Sequence, residues 1–470
     1  MSAGAWTLAD VAQAGDGRVD PAAASGTLLS GPATVDSRVV PAGALFIAVK
    51  GEHVDGYDFA AAAVDGGAAG VLADRPVPGV PTVVVPDVVR ALGRVAHAWL
   101  DRLRATDGVM VVAVTGSSGK TTTKDLMAAV LAAAGPTVAP PGSYNNELGV
   151  PLTVLSAPAG TRYLVLEMGA RGPGHIAELT RVARPDVSVV LNVGAAHVGE
   201  FGSRERTAQA KGELVEALTP EGVAVLSADD DLVAAMATRS RAPVVMYGTA
   251  SDADVRAEGV RLVDGRARFV LVRGGDRADV ALRLVGGHQV GNALAAAAVG
   301  LHAGLSVEDV AAALSGADPV SRWRMELTTR PDGVTVLNDA YNANPDSMRA
   351  ALESLVAVAG DGRRTWAVVG EMLELGESAD AEHEAVGRLA TALGVDRLVV
   401  VGPGARPAHA GAALAPSWPG RSVTVADVDA ATALLLDEVR PGDVVLVKAS
   451  RAAGLERIAL ALVAADGGAS

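Results

Sequence analysis

The sequence of 470 residues contains no cysteine. This absence excludes disulfide bonds, thiolate zinc sites and cysteine nucleophiles. Aromatic residues make up only 3% of the chain, and 54 acidic residues outnumber 40 basic ones, for a net charge of −14. Without a basic surface or aromatic rings for base stacking, the chain is not expected to bind nucleic acid.

Long apolar runs are also missing, although half of the residues are hydrophobic. No run approaches the roughly 18 uninterrupted apolar residues of a membrane-spanning helix. Residues 1–17 contain neither lysine nor arginine and have no long apolar core, unlike a secretory signal. We therefore expect a cytoplasmic protein without membrane insertion, and the length predicts about three domains of roughly 150 residues.

Lysine is scarce among the basic residues. It occurs only at Lys50, Lys120, Lys124, Lys211 and Lys448. A lysine ammonium is compact and can lose its proton, whereas the arginine guanidinium effectively cannot. In an arginine-rich sequence these lysines are candidates for chemistry, with Lys124 expected to be a solvated helix residue.

Breaks near residues 106–108 and 315–321 divide the chain into three predicted domains, 1–106, 107–317 and 318–470. The first mixes short β-rich stretches with helices and ends in a predicted helix over 88–103. The second alternates apolar strands with helices, which is typical of a parallel sheet. Strands of the third are predicted at 335–337, 366–369, 397–401, 422–425 and 444–447.

We therefore predict an α/β fold. It comprises a small α/β N-terminal domain, a central P-loop domain with a parallel sheet, and a C-terminal Rossmann-like doubly wound domain. Alanine runs at 60–63 and 295–298 are predicted to be helical.

The strongest local motif is an apolar strand that runs into a glycine-rich turn and a helix start, VMVVAVTGSSGKTTTK (109–124). In this arrangement, backbone N–H groups and the helix N-terminus converge on a phosphate, which a lysine also reaches. The loop is shorter than the usual G-x-x-x-x-G-K-[ST] spacing. The predicted nucleotide-binding residues here are Gly116, Ser117, Ser118, Gly119, Lys120, Thr121 and Thr122.

Two further candidates come from position alone. Glu167 directly follows the predicted strand 163–166, where a carboxylate can hold Mg²⁺ with Thr121; the alternative is a solvated loop acid. Lys211 shares a helical spacing with Leu214, Val215 and Leu218, which places it on an apolar stripe. Its stem could simply pack while the ammonium reaches water.

Four further strings accompany the phosphate loop: DSR with PAGALFIA (36–38 and 41–48), YNNELGVP (144–151), LNDAYNANP (337–345) and GEMLELG (370–376). With TGSSGKTT (115–122), the sequence resembles the Mur ligase family from about residue 30 to about 455. The resemblance implies a ligase that uses ATP and Mg²⁺ to add D-alanyl-D-alanine to UDP-N-acetylmuramoyl-tripeptide through an acyl phosphate.

The resemblance also implies roles for individual residues. Mg²⁺ would be held by Thr121, Glu167, His197 and a carbamylated Lys211. ATP would be bound by the phosphate loop, by Asn292 at the adenine, by Arg324 at the phosphates and by Asp339 at the ribose. The catalytic set would be Lys120, Glu167, His197, Lys211 and Arg324. Substrate contacts would come from Ser37, Arg38, Asn145, Asn146, Glu147, Asn342 and Asn344, with the first domain holding the UDP-sugar-peptide and the protein acting as a monomer.

Two alternatives remain open at the sequence level. A sibling amide ligase would add a different amino donor; the diamino-acid-adding sibling would carry D-N-P-R, which is absent, and the folate polyglutamate type would read G-K-G after its loop. A non-catalytic nucleotide-binding protein on the same fold would be expected to lack Glu167, His197 or Lys211, yet all three are present.

Overall fold

The computed structural model describes residues 6–194 and 203–465. The first region contains these elements: β1 (Trp6–Thr7), α1 (Leu8–Gly15), β2 (Arg18–Asp20), β3 (Leu28–Leu29), β4 (Leu45–Ile47), α2 (Ala60–Asp65), β5 (Gly70–Ala73), β6 (Thr82–Val84) and α3 (Val88–Asp107). A four-stranded sheet in the order β2-β6-β5-β4 forms its centre, with β2 antiparallel and the others parallel. Helix α3 is capped at its start by Asp87, whose side chain accepts from the Arg90 N–H, and at its end by Gly108 with a φ of 64°.

The central region is built around a nine-stranded sheet. Its elements are β7 (Met110–Thr115), α4 (Lys120–Ala132), β8 (Thr137–Val138), α5 (Gly149–Ser156), β9 (Tyr163–Glu167), α6 (His175–Val182), β10 (Val187–Val190), α7 (Arg204–Glu216), β11 (Val223–Ser227), α8 (Asp231–Ala234), β12 (Val244–Gly248), β13 (Val255–Val263), β14 (Arg266–Arg273), β15 (Asp276–Val285), α9 (Gln289–His302) and α10 (Val307–Gly316). The strand order is β15-β14-β13-β12-β11-β10-β7-β9-β8, and the seven strands from β13 to β8 are parallel.

The predicted parallel central sheet is extended at one edge by antiparallel strands. Strands β13, β14 and β15 pair antiparallel as a meander. Asp264 and Gly265 have φ values of 51° and 72° in the first hairpin turn, which is the backbone that such a turn requires. The Asp-Gly pair between alternating strands was therefore a usable signal in the sequence.

The last region contains the following elements: β16 (Glu326–Thr329), β17 (Thr335–Asn338), α11 (Pro345–Ala359), β18 (Thr365–Val369), α12 (Ala379–Ala392), β19 (Arg397–Val401), α13 (Arg406–Ala413), β20 (Arg421–Val425), α14 (Val428–Glu438), β21 (Val444–Lys448) and α15 (Glu456–Ala464). Its sheet order is β16-β17-β21-β18-β19-β20, parallel except for the edge strand β16. Helices cover both faces in separate apolar clusters, as a doubly wound fold requires.

The α/β class and the predicted strands of all three regions are confirmed. The alanine runs lie in α2 and α9, as expected. The three domain bounds stay a prediction. In the described part of the chain, no helix is long and apolar enough to cross a membrane.

Candidate nucleotide and ligase site

The phosphate loop lies between the end of β7 and the start of α4. Gly119 has a φ of 81° and precedes the helix without any side-chain cap. A Cβ there would lie 2.5 Å from Oδ1 of Asn292, and a Cβ at Gly116 would lie 2.9 Å from Cβ of Leu191. Both glycines are needed for this close approach, because either added methyl group would displace the loop.

Asn192, two residues after the end of β10, holds this loop in place through hydrogen bonds. Its Oδ1 accepts hydrogen bonds from the N–H groups of Ser117 and Ser118, both at 3.0 Å, and its Nδ2 donates to the Ser118 carbonyl. Sequence reasoning missed Asn192. The available signal was a polar residue at the carboxyl end of a strand that neighbours β7 in a parallel sheet, which is where ligand sites form.

Lys120 and Arg324 bring positive charge to the loop from two regions of the chain. The Lys120 Nζ donates to the Gly116 carbonyl at 2.7 Å. Burial lowers the pKa of Lys120; the nearby carboxylate of Glu167 opposes this shift, and the charge of Arg324 adds to it. Arg324 lies with its Cζ 4.1 Å from the centre of the Tyr341 ring. The two side chains therefore lie close enough to interact electrostatically, and together they can bind an anion.

Glu167 is buried and its carboxylate accepts three hydrogen bonds. The Thr121 Oγ1 donates to Oε2 at 2.7 Å, while the Ser143 Oγ and the Asn145 Nδ2 donate to Oε1 at 2.7 and 2.8 Å. Ser143 was not predicted from the sequence. Its position before the YNNE string was the only indication.

Lys211 lies in α7 with 3% of its surface exposed, and Leu214, Val215 and Leu218 are buried beside it. The predicted apolar stripe is thus confirmed. Burial lowers the pKa of Lys211 well below its ordinary value, with a further contribution from the charge of Lys120. Within the described residues, no carboxylate forms an ion pair with Lys211, so the neutral amine is favoured.

His197 lies outside the described residues, which leaves its predicted metal role without a position. Among the described residues, no group of three or more histidines and acids is arranged to hold a metal ion. The oxygen donors that the structure does bring together are those of Thr121 and Glu167. Hard oxygen ligands of this kind match Mg²⁺.

Asn292 lies beneath the phosphate loop within a hydrogen-bond network. Its Oδ1 accepts from the Thr123 Oγ1 at 3.1 Å, and its Nδ2 donates to the Gln289 Oε1 at 2.8 Å. Gln289 is 2.9 Å from the His288 Nε2. Burial lowers the pKa of His288 to about 4. A neutral His288 can accept the amide hydrogen of Gln289.

The candidate ribose acid, Asp339, lies in the last region. The Lys448 Nζ donates to the Asp339 Oδ2 at 2.6 Å and to the Asn342 carbonyl at 2.8 Å. Lys448 was noted only for the scarcity of lysine, and no role was predicted for it.

Of the residues predicted to contact the substrate, five line a large cleft and two lie outside it. The Asn344 Oδ1 caps α11 by accepting from the Ser347 N–H, and the Asn146 Oδ1 accepts from the N–H of Gly149. A cleft of about 1620 Å³ is lined by Asn145, Asn146, Glu147, Asn342 and Asn344. The predicted phosphate-loop, metal and nucleotide residues also line it, except for Gly116 and for His197, which lies outside the described residues. Ser37 and Arg38 do not line this cleft; Arg38 is bound to Asp36 on the surface.

The expectation that Lys124 is solvated is wrong. Its side chain is 1% exposed, and its ammonium contacts the Asp125 carboxylate and the Pro140 carbonyl. Helical spacing reveals neither contact, because Asp125 is the adjacent residue rather than one turn away and Pro140 lies 16 residues further along the chain.

Comparison with known proteins identifies the family. Residues 33–99 match the model "Mur ligase family, catalytic domain", 114–300 match "Mur ligase middle domain" and 323–451 match "Mur ligase, glutamate ligase domain". The UDP-N-acetylmuramoyl-tripeptide--D-alanyl-D-alanine ligase of Mycobacterium tuberculosis is 52% identical over 98% of each chain.

Solved structures agree over the same length. MurF from Acinetobacter baumannii superposes with a TM-score of 0.86 and 31% identity, covering 98% of this chain and 99% of that one. MurF ligase from Thermotoga maritima in complex with ADP gives a TM-score of 0.77 and 31% identity, covering 92% and 96%. With its three matched regions, its cleft and its phosphate loop, this chain belongs to the Mur ligase family.

Proposed function

We propose that this chain joins D-alanyl-D-alanine to the carboxyl end of UDP-N-acetylmuramoyl-tripeptide at the expense of ATP. The observation that carries the proposal is that one cleft is lined by the phosphate loop, the hydrogen-bonded Thr121–Glu167 pair, the buried Lys211, Arg324 and Asp339. Relatives that carry this activity in their names align over almost the whole chain. We further propose that the protein acts in the cytoplasm as a monomer.

ATP binding would use residues of the central region and of the last region. The loop amides and Lys120 would bind the phosphates, and Arg324 would reach them from the other side. Asn292 would contact the adenine, and Asp339 would accept hydrogen bonds from the ribose hydroxyls. Closure of the last region onto the central one would complete this site.

Mg²⁺ fits the donor set at the end of β9. The Thr121 hydroxyl and the Glu167 carboxylate would hold one ion, with His197 and a modified Lys211 contributing to a second. When bound, the metal would neutralise charge on the phosphates. Ser143 and Asn145 orient Glu167 for this task because both donate to the same carboxylate oxygen.

In the proposed reaction, an oxygen of the tripeptide carboxylate attacks the γ-phosphorus of ATP, and ADP leaves. The amine of D-alanyl-D-alanine then attacks the acyl phosphate carbon; the amide bond forms, the C–O bond to phosphate breaks and a proton is released. Lys120 and Arg324 would stabilise the charge that develops on the transferred phosphoryl group. The closed cleft would exclude the water that hydrolyses acyl phosphates.

The substrate would be held by residues around the cleft and the first region. Asn145, Asn146 and Glu147 line the cleft beside Glu167 and would contact the peptide. Asn342 and Asn344 would contact the dipeptide from the other side. Ser37 and Arg38 would contact the uridine nucleotide, which requires Arg38 to exchange its bond with Asp36 for a phosphate.

Lys211 would act as a carbamate. Its neutral amine would attack CO₂, forming an N–C bond and releasing one proton, and the resulting anion would ligate metal beside Glu167. The lowered pKa of Lys211 supports this step because only the neutral amine reacts. Carbon-13 NMR of metal-free protein in ¹³C-bicarbonate should show a carbamate signal in the wild type and none in Lys211→Ala.

The deciding experiment measures phosphate release and product mass with ATP and UDP-N-acetylmuramoyl-tripeptide. D-Alanyl-D-alanine should support turnover, while single D-alanine or L-lysine should not. Lys211→Ala should lose nearly all activity and regain part of it with acetate, and Lys211→Arg should be as inactive as Lys211→Ala. Equal turnover with a single amino acid would move the assignment to a sibling ligase.

A further inference from the structure

A buried charged junction lies in α4, one helical turn after the phosphate loop, and is formed by side chains to which no role was assigned above. The Lys124 ammonium lies 2.6 Å from the Asp125 Oδ1 and donates to the Pro140 carbonyl. The Lys124 side chain is 1% exposed and that of Asp125 12%. A lysine charge at such a site needs both partners, because burial without a counter-charge is costly.

The second oxygen of Asp125 connects to a distant part of the chain. The Ser321 Oγ donates to the Asp125 Oδ2 at 2.6 Å. Ser321 lies in the segment 317–325, which joins α10 of the central region to β16 of the last region. We name Lys124, Asp125, Pro140 and Ser321 the connector junction.

Each chain segment that meets at the connector junction carries, within a few residues, a side chain that belongs to the proposed site or contacts it. Upstream on α4 are Lys120 and Thr121. Three residues after Pro140, Ser143 donates to Glu167. Three residues after Ser321 comes Arg324, which lines the same small hollow as Asp125 and Ser321.

The segment that carries Arg324 has a backbone that needs support. Trp323 and Met325, on either side of Arg324, have φ values of 57° and 53°. Residues other than glycine rarely adopt this left-handed backbone conformation, which costs about 1 kcal/mol or more per residue. Contacts with neighbouring residues must therefore stabilise the backbone here. Downstream, the Met325 N–H donates to the Asp339 Oδ1. Trp323 donates its N–H to the Glu326 Oε2 at 3.1 Å, and its carbonyl accepts from the Tyr341 N–H at 3.2 Å. Two residues upstream of Trp323, the bond from Ser321 to Asp125 ties the connector to α4.

We propose that Asp125 and Ser321 are positioning residues that set the path of the connector so that Arg324 reaches the nucleotide phosphates beside Lys120. This inference rests on the proposed function, since Arg324 acts on phosphates only if the chain uses ATP. Lys124 holds the Asp125 carboxylate in the orientation that Ser321 requires. The connector junction thereby couples the placement of the last region to the phosphate loop.

The test compares Ser321→Ala with Ser321→Thr, which keeps the hydroxyl, and with Val320→Ala, an exposed neighbour in the same segment. Ser321→Ala should lower kcat about tenfold with little change in the KM for D-alanyl-D-alanine, the size expected for one hydrogen bond to a charged group. Ser321→Thr should retain most activity and Val320→Ala all of it. Melting temperatures of all three should stay close to that of the wild type.

A double-mutant cycle with Arg324→Ala separates positioning from general structural damage. If Ser321 acts through Arg324, adding Ser321→Ala to Arg324→Ala should cause no further loss. Equal tenfold losses in both backgrounds, or wild-type kcat in Ser321→Ala, would overturn the inference. An inactive wild-type protein would instead refute the proposed function, so the two failures are distinguishable.

Discussion

Lys448 and Asp339 form an ion pair across two adjacent strand ends, with the Nζ 2.6 Å from the Oδ2 and the two side chains 2% and 14% exposed. Strands β17 and β21 are parallel neighbours, paired through Asn338 and Val447, so both residues leave the sheet at the same edge. The pair therefore fixes the carboxylate that is proposed to hold the ribose.

Replacing Lys448 with methionine should destabilise the protein by about 3 kcal/mol, because it leaves a largely buried carboxylate without its counter-charge. The double variant Lys448→Met/Asp339→Asn should cost less than the sum of the single changes, since the unpaired charge is gone. Urea unfolding curves measure both effects. Additive losses would show that the pair is not energetically coupled.

Gly119→Ala should abolish nucleotide binding. The residue combines a φ of 81° with a Cβ position only 2.5 Å from the Asn292 Oδ1, so the loop and Asn292 must both move. Gly291→Ala is a matched control on α9, because its Cβ would meet nothing within 4 Å. Calorimetric titration with ADP should give wild-type affinity only for the Gly291 variant.

Lys211 should make the stability of the metal-free protein depend on pH. Its folded-state pKa is lowered well below 10.5, so between those two values the unfolded chain binds a proton that the folded chain does not. Between the lowered pKa and 10.5, the free energy of unfolding therefore decreases as the pH falls, by up to about 1.4 kcal/mol per pH unit.

Lys211→Met should remove this slope and be more stable than the wild type at pH 7, in buffer free of CO₂ and metal. Lys50→Met, at an exposed position, is the control and should keep the slope of the wild type. Chemical denaturation at pH 7, 8 and 9 provides the comparison. Identical slopes for the wild type and Lys211→Met would contradict the burial of an uncharged amine.

His288 should contribute a second pH effect at lower pH. Burial lowers its pKa from 6.5 to about 4, so the unfolded chain binds a proton first as the solution is acidified. Between pH 6.5 and 4 the folded state should lose up to about 3 kcal/mol for this reason. His288→Asn should lose less stability over this range than His53→Asn, whose residue is exposed.

Much of the fold and of the nucleotide site could be predicted from sequence alone. The strand before Gly116, the glycine turn and the helix from Lys120 are local features, encoded within 16 consecutive residues. Apolar runs predicted most strands of the parallel sheets, because strands buried on both faces are continuously hydrophobic. The same method missed the meander of β13–β15, where one face is polar and the alternation resembles loop composition.

Tertiary structure decided the contacts that join distant positions. The bond between Asp125 and Ser321 spans 196 residues, and that between Lys448 and Asp339 spans 109. Nothing local marks such partners. Lys124 was likewise expected in solvent, yet it is buried, and its ammonium donates to a carbonyl 16 residues along the chain. The physical reason is that helical spacing reports which residues share a face, whereas the packed elements decide whether that face meets water, an apolar core or an opposite charge.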